Sequence, residues 1–156
     1  MKERNIDMYL VPTADYHNSE NVGKYFMERA YISGFTGSAG SVLVGKDWAG
    51  LWTDGRYFLQ AEDQLEGSGI DLYRMGEEGV PSLEDFIKDK LVQGGKLAFD
   101  GRCITYGQGL DLQNIVGEKM GSLVYDLDLI DQVWGDRPPM AREPIFELQI
   151  RYAGES

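Results

Sequence analysis

The order of strand-type and helix-type segments is the feature of this sequence that most limits its fold. Apolar and β-branched runs predict strands at residues 6–11, 41–44, 50–53, 70–75, 96–100 and 122–127. Apolar residues at helical spacing predict helices at 22–31, 57–65 and 109–120, and a further helix that begins after Ser82. The order β-α-β-β-α-β-α-β-α-β predicts an α/β domain in which helices flank a mixed sheet.

Local signals support several of these elements. The short stretch between residues 44 and 50 suits a hairpin that joins the second and third strands. Ser82 is placed as the N-cap of a helix, with Asp85 three residues later in a capping-box arrangement. Trp52 lies in the central apolar strand, and we therefore expect it in the core.

Size and charge exclude several classes of protein. The 156 residues are enough for one domain, and 26 acidic against 15 basic residues give a net charge of −11. Nucleic acids and anionic membranes attract basic surfaces, so neither is expected as a partner. No apolar stretch approaches the ~20 residues of a membrane span, and the N-terminus lacks the apolar core of a signal peptide. The single cysteine, Cys103, excludes an internal disulfide, and we expect a cytoplasmic protein.

A change in composition marks a domain boundary near residue 134. Residues 1–134 contain all the predicted strands and helices, whereas Pro138, Pro139 and Pro144 interrupt the segment that follows. Such a segment at the end of a compact domain is typical of a linker. We therefore expect residues 135–156 to be an exit linker, and the natural chain to continue beyond Ser156 into further domains.

The run at residues 52–58 (WTDGRYF) contains the most unusual combination of side chains. It places Asp54 and Arg56 at a strand-to-helix junction, where Gly55 permits a tight turn. The planar guanidinium of Arg56 is suited to binding a carboxylate or a carbonyl oxygen. On spacing alone, the simpler interpretation is that Asp54 caps the helix and Arg56 makes a surface ion pair.

Other candidate sites carry weaker signals. The glycine-rich stretch 34–40 lacks the lysine of a phosphate-binding loop and precedes a strand, so we interpret it as a structural turn. Asp15, His17, Ser19 and Glu20 crowd one loop, but a Ser/His/Asp hydrolase also needs those groups to converge in space.

Metal sites are limited by the donor count. His17 and Cys103 alone cannot form an ordinary zinc site. Asp100, Asp126 and Asp128 lie at predicted strand ends, where carboxylates could hold a divalent ion, although capping and solvation account for most acids of this kind. We expect no metal site and no cofactor in this chain.

Four motifs in one register resemble a known family. They are residues 11–20 (VPTADYHNSE), 29–40 (RAYISGFTGSAG), 51–61 (LWTDGRYFLQA) and 131–138 (DQVWGDRP). Together they resemble the N-terminal domain of Xaa-Pro aminopeptidases, in the creatinase/prolidase group. The resemblance spans nearly the whole chain. Asn21 departs from it, because an aromatic residue commonly follows the Ser-Glu pair in that family.

The resemblance implies a fold and a function. The implied fold is a ribonuclease H-like mixed sheet. The family also has a separate C-terminal domain that holds two divalent metal ions, usually manganese. That domain cleaves the bond before a proline at the second position of a peptide. This chain would then have no catalytic residue and no peptidase activity alone. It would position the peptide through Arg56, Asp54, Tyr57 and His17, support a homodimer and contact its own catalytic domain. The alternatives are a stand-alone binding module of the same fold and, less favoured, a hydrolase that uses the strand-end carboxylates.

Overall fold

The predicted order of elements is confirmed by a computed structural model that describes residues 1–152 and 154. The strands are β1 (Met8–Pro12), β2 (Ser41–Val44), β3 (Ala49–Thr53), β4 (Asp71–Arg74), β5 (Lys96–Phe99) and β6 (Ser122–Val124). The helices are α1 (Glu28–Ser33), α2 (Phe58–Leu65), α3 (Leu83–Lys90) and α4 (Tyr106–Glu118). Single 3₁₀ turns occupy Lys2–Arg4, Lys24–Phe26, Gly101–Cys103 and Ile150–Tyr152. None of the described helices combines the length and apolarity needed to cross a membrane.

One six-stranded sheet, in the order β4-β3-β2-β1-β5-β6, connects these elements. β2 pairs antiparallel with β1 and with β3, as the predicted hairpin requires. The pairs β1–β5, β3–β4 and β5–β6 are parallel. The prediction of a mixed sheet flanked by helices is therefore correct.

β1 is buried on both faces, so its successive side chains enter two separate cores. Met8 and Leu10 join the core that α3 and α4 cover, whereas Tyr9 and Val11 join the core on the opposite face. Trp52 belongs to the first core, as expected, and Leu51 to the second.

Helix starts show where the sequence signals succeeded and failed. Ser82 caps α3, and its Oγ accepts from the Asp85 backbone N–H at 3.0 Å. The Asp85 carboxylate accepts from the Ser82 hydroxyl at 2.7 Å, which departs from the backbone contact of a standard capping box. α4 begins at Tyr106 and not at residue 109, because Thr105 and Gln108 form a complete capping box.

Two predicted elements differ from the structure. In place of the expected helix at 22–31, the structure has a 3₁₀ turn followed by the short α1. Glu28 and Arg29 of α1 are buried and make polar contacts. The expected strand at 122–127 ends at Val124, and Asp126 forms only an isolated bridge with Asp100. Periodicity failed at 22–31 because it assigns buried positions to apolar residues alone, whereas Glu28 and Arg29 are buried there.

The segment after β6 returns across the second core. The Tyr9 hydroxyl donates to the Leu127 carbonyl at 2.9 Å and accepts from the Leu129 N–H at 3.0 Å. Ile130 is buried in that core. Trp134 stacks on Tyr31, with ring centroids 4.4 Å apart. Residues 127–134 are therefore an integral part of the fold.

Arg137 fastens the end of this segment through a buried guanidinium that is only 4% exposed. It donates to Asp128 at 2.7 Å, to the Tyr25 carbonyl at 3.0 Å and to Glu28. Its guanidinium carbon lies 3.8 Å from the centroid of the Tyr25 ring. One side chain thus connects the exit segment to α1, 109 residues earlier in the sequence.

The Glu28 carboxyl has an unusual environment for an acid. Burial raises its pKa to about 7, and the nearby Asp128 charge adds to the shift, whereas Arg137 opposes it. A pKa raised in the folded state stabilises the fold below the ordinary value of 4.5, and that stabilisation is lost as the pH rises through about 7.

Replacing Glu28 therefore changes how stability depends on pH. We expect the free energy of unfolding of the wild type, relative to Glu28→Gln, to fall by about 1–3 kcal/mol as the pH rises from about 4.5 to about 7. Urea titrations of both proteins across this range measure the difference, and Glu66→Gln on the exposed surface controls for net charge. If the free energies of unfolding of the wild type and of Glu28→Gln change with pH in parallel, then the pKa of Glu28 is not raised in the folded protein.

Trp52 provides a test of the core assignment. Its side chain is 1% exposed, stacks on Tyr73 at 4.1 Å and donates to the Pro81 carbonyl at 3.1 Å. Trp52→Ala should lower the free energy of unfolding by about 3–5 kcal/mol. The control, Leu59→Ala at an exposed helix position, should change it by less than about 0.5 kcal/mol. A thermal midpoint for Trp52→Ala equal to that of the control would contradict the assignment.

Candidate functional site

The buried guanidinium of Arg29 holds the glycine-rich loop at residues 34–40 by hydrogen bonds to two of its carbonyls. This side chain is 5% exposed, and its Nε donates to the Thr13 hydroxyl at 2.6 Å. One terminal nitrogen donates to the Phe35 carbonyl at 3.0 Å and the other to the Gly37 carbonyl. Burial lowers the pKa of Arg29 to about 10. No described carboxylate pairs with it, so the loop carbonyls supply its polar contacts.

Gly40 ends this loop in a position that requires glycine. Its φ is +148°, and a Cβ atom there would lie 2.8 Å from the Trp52 carbonyl oxygen. The close approach lets the loop pack on β3, where the Thr53 hydroxyl donates to the Ala39 carbonyl at 2.7 Å. The interpretation of this stretch as a structural turn agrees with that packing.

The loop also contacts the junction between β3 and α2. The Ser38 and Tyr57 hydroxyls lie 2.6 Å apart, within hydrogen-bond distance. The Tyr57 ring packs edge-on against Phe35, with centroids 6.0 Å apart. Arg29, the loop and Tyr57 therefore form one connected support for the residues at this junction.

Asp54 and Arg56 form a two-pronged ion pair on that support. The Arg56 Nε and Nη2 each donate to the Asp54 carboxylate at 2.8 Å, and the Arg56 backbone N–H donates to it at 3.1 Å. These bonds lower the pKa of Asp54 and raise the pKa of Arg56. The expected ion pair is present, but Asp54 does not cap α2, because Tyr57 occupies the N-cap position.

The Arg56 side chain remains 64% exposed. Its Nη1 donates to no residue in the described part of the chain, whereas Nε and Nη2 are held by Asp54. The carboxylate thus fixes the plane of the guanidinium and leaves one edge directed away from the pair. That edge can donate to a carbonyl or carboxylate oxygen of a ligand.

The polar loop after β1 lies beside this pair. Asp15 accepts from the backbone N–H groups of Ser19 and His17 at 2.9 and 2.8 Å, and these bonds lower its pKa. The Asp15 carboxylate thus stabilises the turn of the loop. In a Ser/His/Asp hydrolase the carboxylate must instead orient the histidine ring, and Asp15 makes no such contact with the exposed His17 ring. The charge of Glu20 contributes to the raised pKa of Arg56, so the two loops are electrostatically coupled.

Three of the four predicted binding residues therefore converge. Asp54, Arg56 and Tyr57 are joined by direct contacts, and His17 lies on the adjacent loop with no side-chain hydrogen bond to a described residue. A role for these four residues in peptide binding stays a prediction.

A cleft of about 660 Å³ that sequence patterns do not indicate opens beside the Asp54–Arg56 pair. Ser38, Asp54 and Glu20 line the cleft, together with Glu84 from the first turn of α3 and Asp111 from the second turn of α4. Acidic residues in the first turn of a helix are common because they interact favourably with the helix dipole, so Glu84 carried no functional signal in the sequence. Asp111 is an exposed acid on a helix and was equally ordinary.

Within the described part of the chain, one group of three possible metal ligands lies close together: Glu28, Asp100 and Asp128. Asp126, which we had placed with the strand-end carboxylates, is not in the group. Arg102 pairs with Asp100 at 2.7 Å, and Arg137 pairs with the other two. Each carboxylate is therefore already engaged by an arginine, and the group does not fit the needs of a two-metal centre.

Cys103 also lacks the environment of a reactive group. Its thiol is buried, and burial raises its pKa to about 12. A thiolate is therefore strongly disfavoured.

The fold and these motifs define a class of protein. Residues 1–133 match the family model of the creatinase/prolidase N-terminal domain, and the chain belongs to that family.

Its relatives include proteins named aminopeptidase P and probable Xaa-Pro aminopeptidase P. The chain is 44% identical over 154 residues to aminopeptidase P2 of Arabidopsis thaliana, which covers 96% of this chain and 21% of that protein. It is 41% identical over 158 residues to a probable Xaa-Pro aminopeptidase P of Coccidioides posadasii, covering 100% of this chain and 26% of that protein. The chain thus spans about a fifth to a quarter of the length of these relatives.

Solved structures agree with this assignment. The X-prolyl aminopeptidase of Caenorhabditis elegans, described as a cytosolic enzyme with a di-nuclear active site, superimposes with a TM-score of 0.82 at 33% identity. The match covers 87% of this chain and 22% of that one. The N-terminal domain of the cytoplasmic peptidase PepQ from Mycobacterium tuberculosis matches with a TM-score of 0.57 at 25% identity, over 85% of this chain and 90% of that domain. Domains of this fold can therefore be crystallised by themselves.

Proposed function

We propose that this chain is the noncatalytic N-terminal domain of an Xaa-Pro aminopeptidase and helps to position the peptide. The observation that carries the proposal is the fixed, half-exposed guanidinium of Arg56. Two of its nitrogens are held by Asp54, and its remaining edge is available to a peptide oxygen. A donor that is already held in one orientation supports catalysis, because less conformational entropy is lost when it binds and orients the peptide.

The described side chains supply no machinery for bond cleavage. Asp15 is engaged with the backbone, the Cys103 thiol is buried, and the carboxylates of Glu28, Asp100 and Asp128 are each paired with an arginine. These features support a division of labour in which another domain of the same protein performs the chemistry.

The relatives suggest what that other domain contains. We infer that it follows this chain, holds two divalent metal ions, manganese being the first choice, and cleaves the bond before a proline at the second position. Residues 135–156 would be the linker that leads to it. We further infer a cytoplasmic homodimer, because the Caenorhabditis elegans relative is described as cytosolic and the family resemblance places Arg56 where it would face the active site of a neighbouring subunit.

Mutation of Arg56 in the full-length enzyme tests the proposal. Arg56→Ala should reduce kcat/KM for an Xaa-Pro peptide by about 10- to 100-fold, which corresponds to about 1.4–2.7 kcal/mol. Metal content and thermal stability should stay at wild-type values, because Arg56 is exposed and lies outside the core. Arg56→Lys should recover only part of the loss, since an ammonium group cannot bind two oxygens in one plane.

Arg4→Ala provides the matched control, because Arg4 is an exposed arginine without an ion pair among the described residues. It should leave kcat/KM unchanged. If Arg56→Ala behaves in the same way as this control, then Arg56 is a surface ion-pair partner worth at most about 1 kcal/mol of stability.

A further inference from the structure

We propose that the cleft beside Arg56 binds a basic side chain, arginine or lysine, of the peptide. This inference rests on the proposed function, because it assigns the cleft to the same ligand that Arg56 would hold. It adds a preference for a class of substrate, namely cationic peptides.

The cleft is built as an amphipathic site. Its apolar floor includes Leu10 and Leu112 from the core and the half-buried Leu83 and Ile104. Its volume of about 660 Å³ is in the range of small-molecule and peptide sites. A cleft of this size exceeds the need of a bare ion, and a bare ion would leave the apolar floor uncovered.

The rim of the cleft is acidic and has no basic residue. Glu20, Glu84 and Asp111 come from three separate elements, and none has a cationic side chain within 4.0 Å in the described part of the chain. Asp54 also lines the cleft, but Arg56 neutralises it. No lysine, arginine or histidine lines the cleft. Glu20 interacts with Arg56 only at longer range, and Glu84 and Asp111 have no ion-pair partner among the described residues, so the three carboxylates remain available to a cationic ligand.

Arginine and lysine side chains match both parts of this cleft. Their hydrocarbon stems cover apolar surface while the charged end extends to polar groups. Here the stem would lie on the leucine and isoleucine floor, and the charge would reach the three carboxylates at the rim. The net charge of −11 for the whole chain also attracts cationic ligands from a distance.

The position of the cleft connects it to Arg56. Ser38 and Asp54 line the cleft, and each contacts the junction directly, Ser38 through Tyr57 and Asp54 through Arg56. A peptide oxygen bound at Arg56 would therefore place a neighbouring side chain at the mouth of the cleft.

A binding experiment on the chain itself tests this inference without peptidase activity. Two tetrapeptide amides, Arg-Pro-Arg-Gly and its analogue with norleucine in place of both arginines, are titrated into the ¹⁵N-labelled chain at low salt. We expect the arginine peptide to bind at least about tenfold more tightly and to shift the amide signals of the cleft residues. The triple variant Glu20→Gln, Glu84→Gln, Asp111→Asn should lose about tenfold in affinity for it and keep its affinity for the norleucine peptide.

The triple variant Asp63→Asn, Glu66→Gln, Glu78→Gln is the matched control, because it removes the same three charges at exposed carboxylates that lie outside the cleft. The three carboxylates of the cleft are also exposed, so both triple variants should keep the wild-type thermal midpoint. Equal affinity for the two peptides, the same loss in the control variant, or shifts outside the cleft would each overturn the inference. If cleft binding fails and Arg56→Ala still reduces kcat/KM, then the proposed function stands and only the substrate preference is wrong.

Discussion

The arrangement of the candidate site depends on the buried guanidinium of Arg29. It has no carboxylate partner among the described residues and is satisfied by Thr13 and the carbonyls of Phe35 and Gly37. The glycine-rich loop can therefore take only a shape that presents those carbonyls inward, because an unsatisfied buried charge is strongly destabilising. That shape brings Ser38 to Tyr57, and so it fixes the turn that holds Asp54 and Arg56.

The fold was largely predictable because its signals are local. Strand alternation, helical spacing and the Ser82 cap each act within a few residues, and together they determine the order of elements. Contacts between distant residues were not predictable in the same way. The Glu28–Arg137 pair joins residues 109 apart, and Glu28 is a buried acid in the segment where a continuous helix at 22–31 was expected. The motifs indicated the family, but the sequence alone did not show which distant residues hold these motifs in place.

The site was predictable only in part, for the same reason. Asp54, Arg56 and Tyr57 are neighbours in sequence, so their convergence needed only one turn. The cleft instead collects Glu20, Glu84 and Asp111 from three elements that the sheet topology brings together. A preoriented arginine and an acidic cleft on one surface are the two features on which the proposed ligand-holding role rests.

The most direct test of this account is a crystal structure of the full-length enzyme with a non-hydrolysable Xaa-Pro peptide analogue. The account predicts that a nitrogen of Arg56 lies within about 3 Å of a peptide oxygen while Asp54 still holds the other side of the guanidinium. A peptide bound entirely by the catalytic domain, with Arg56 contacting only Asp54 and solvent, would contradict it.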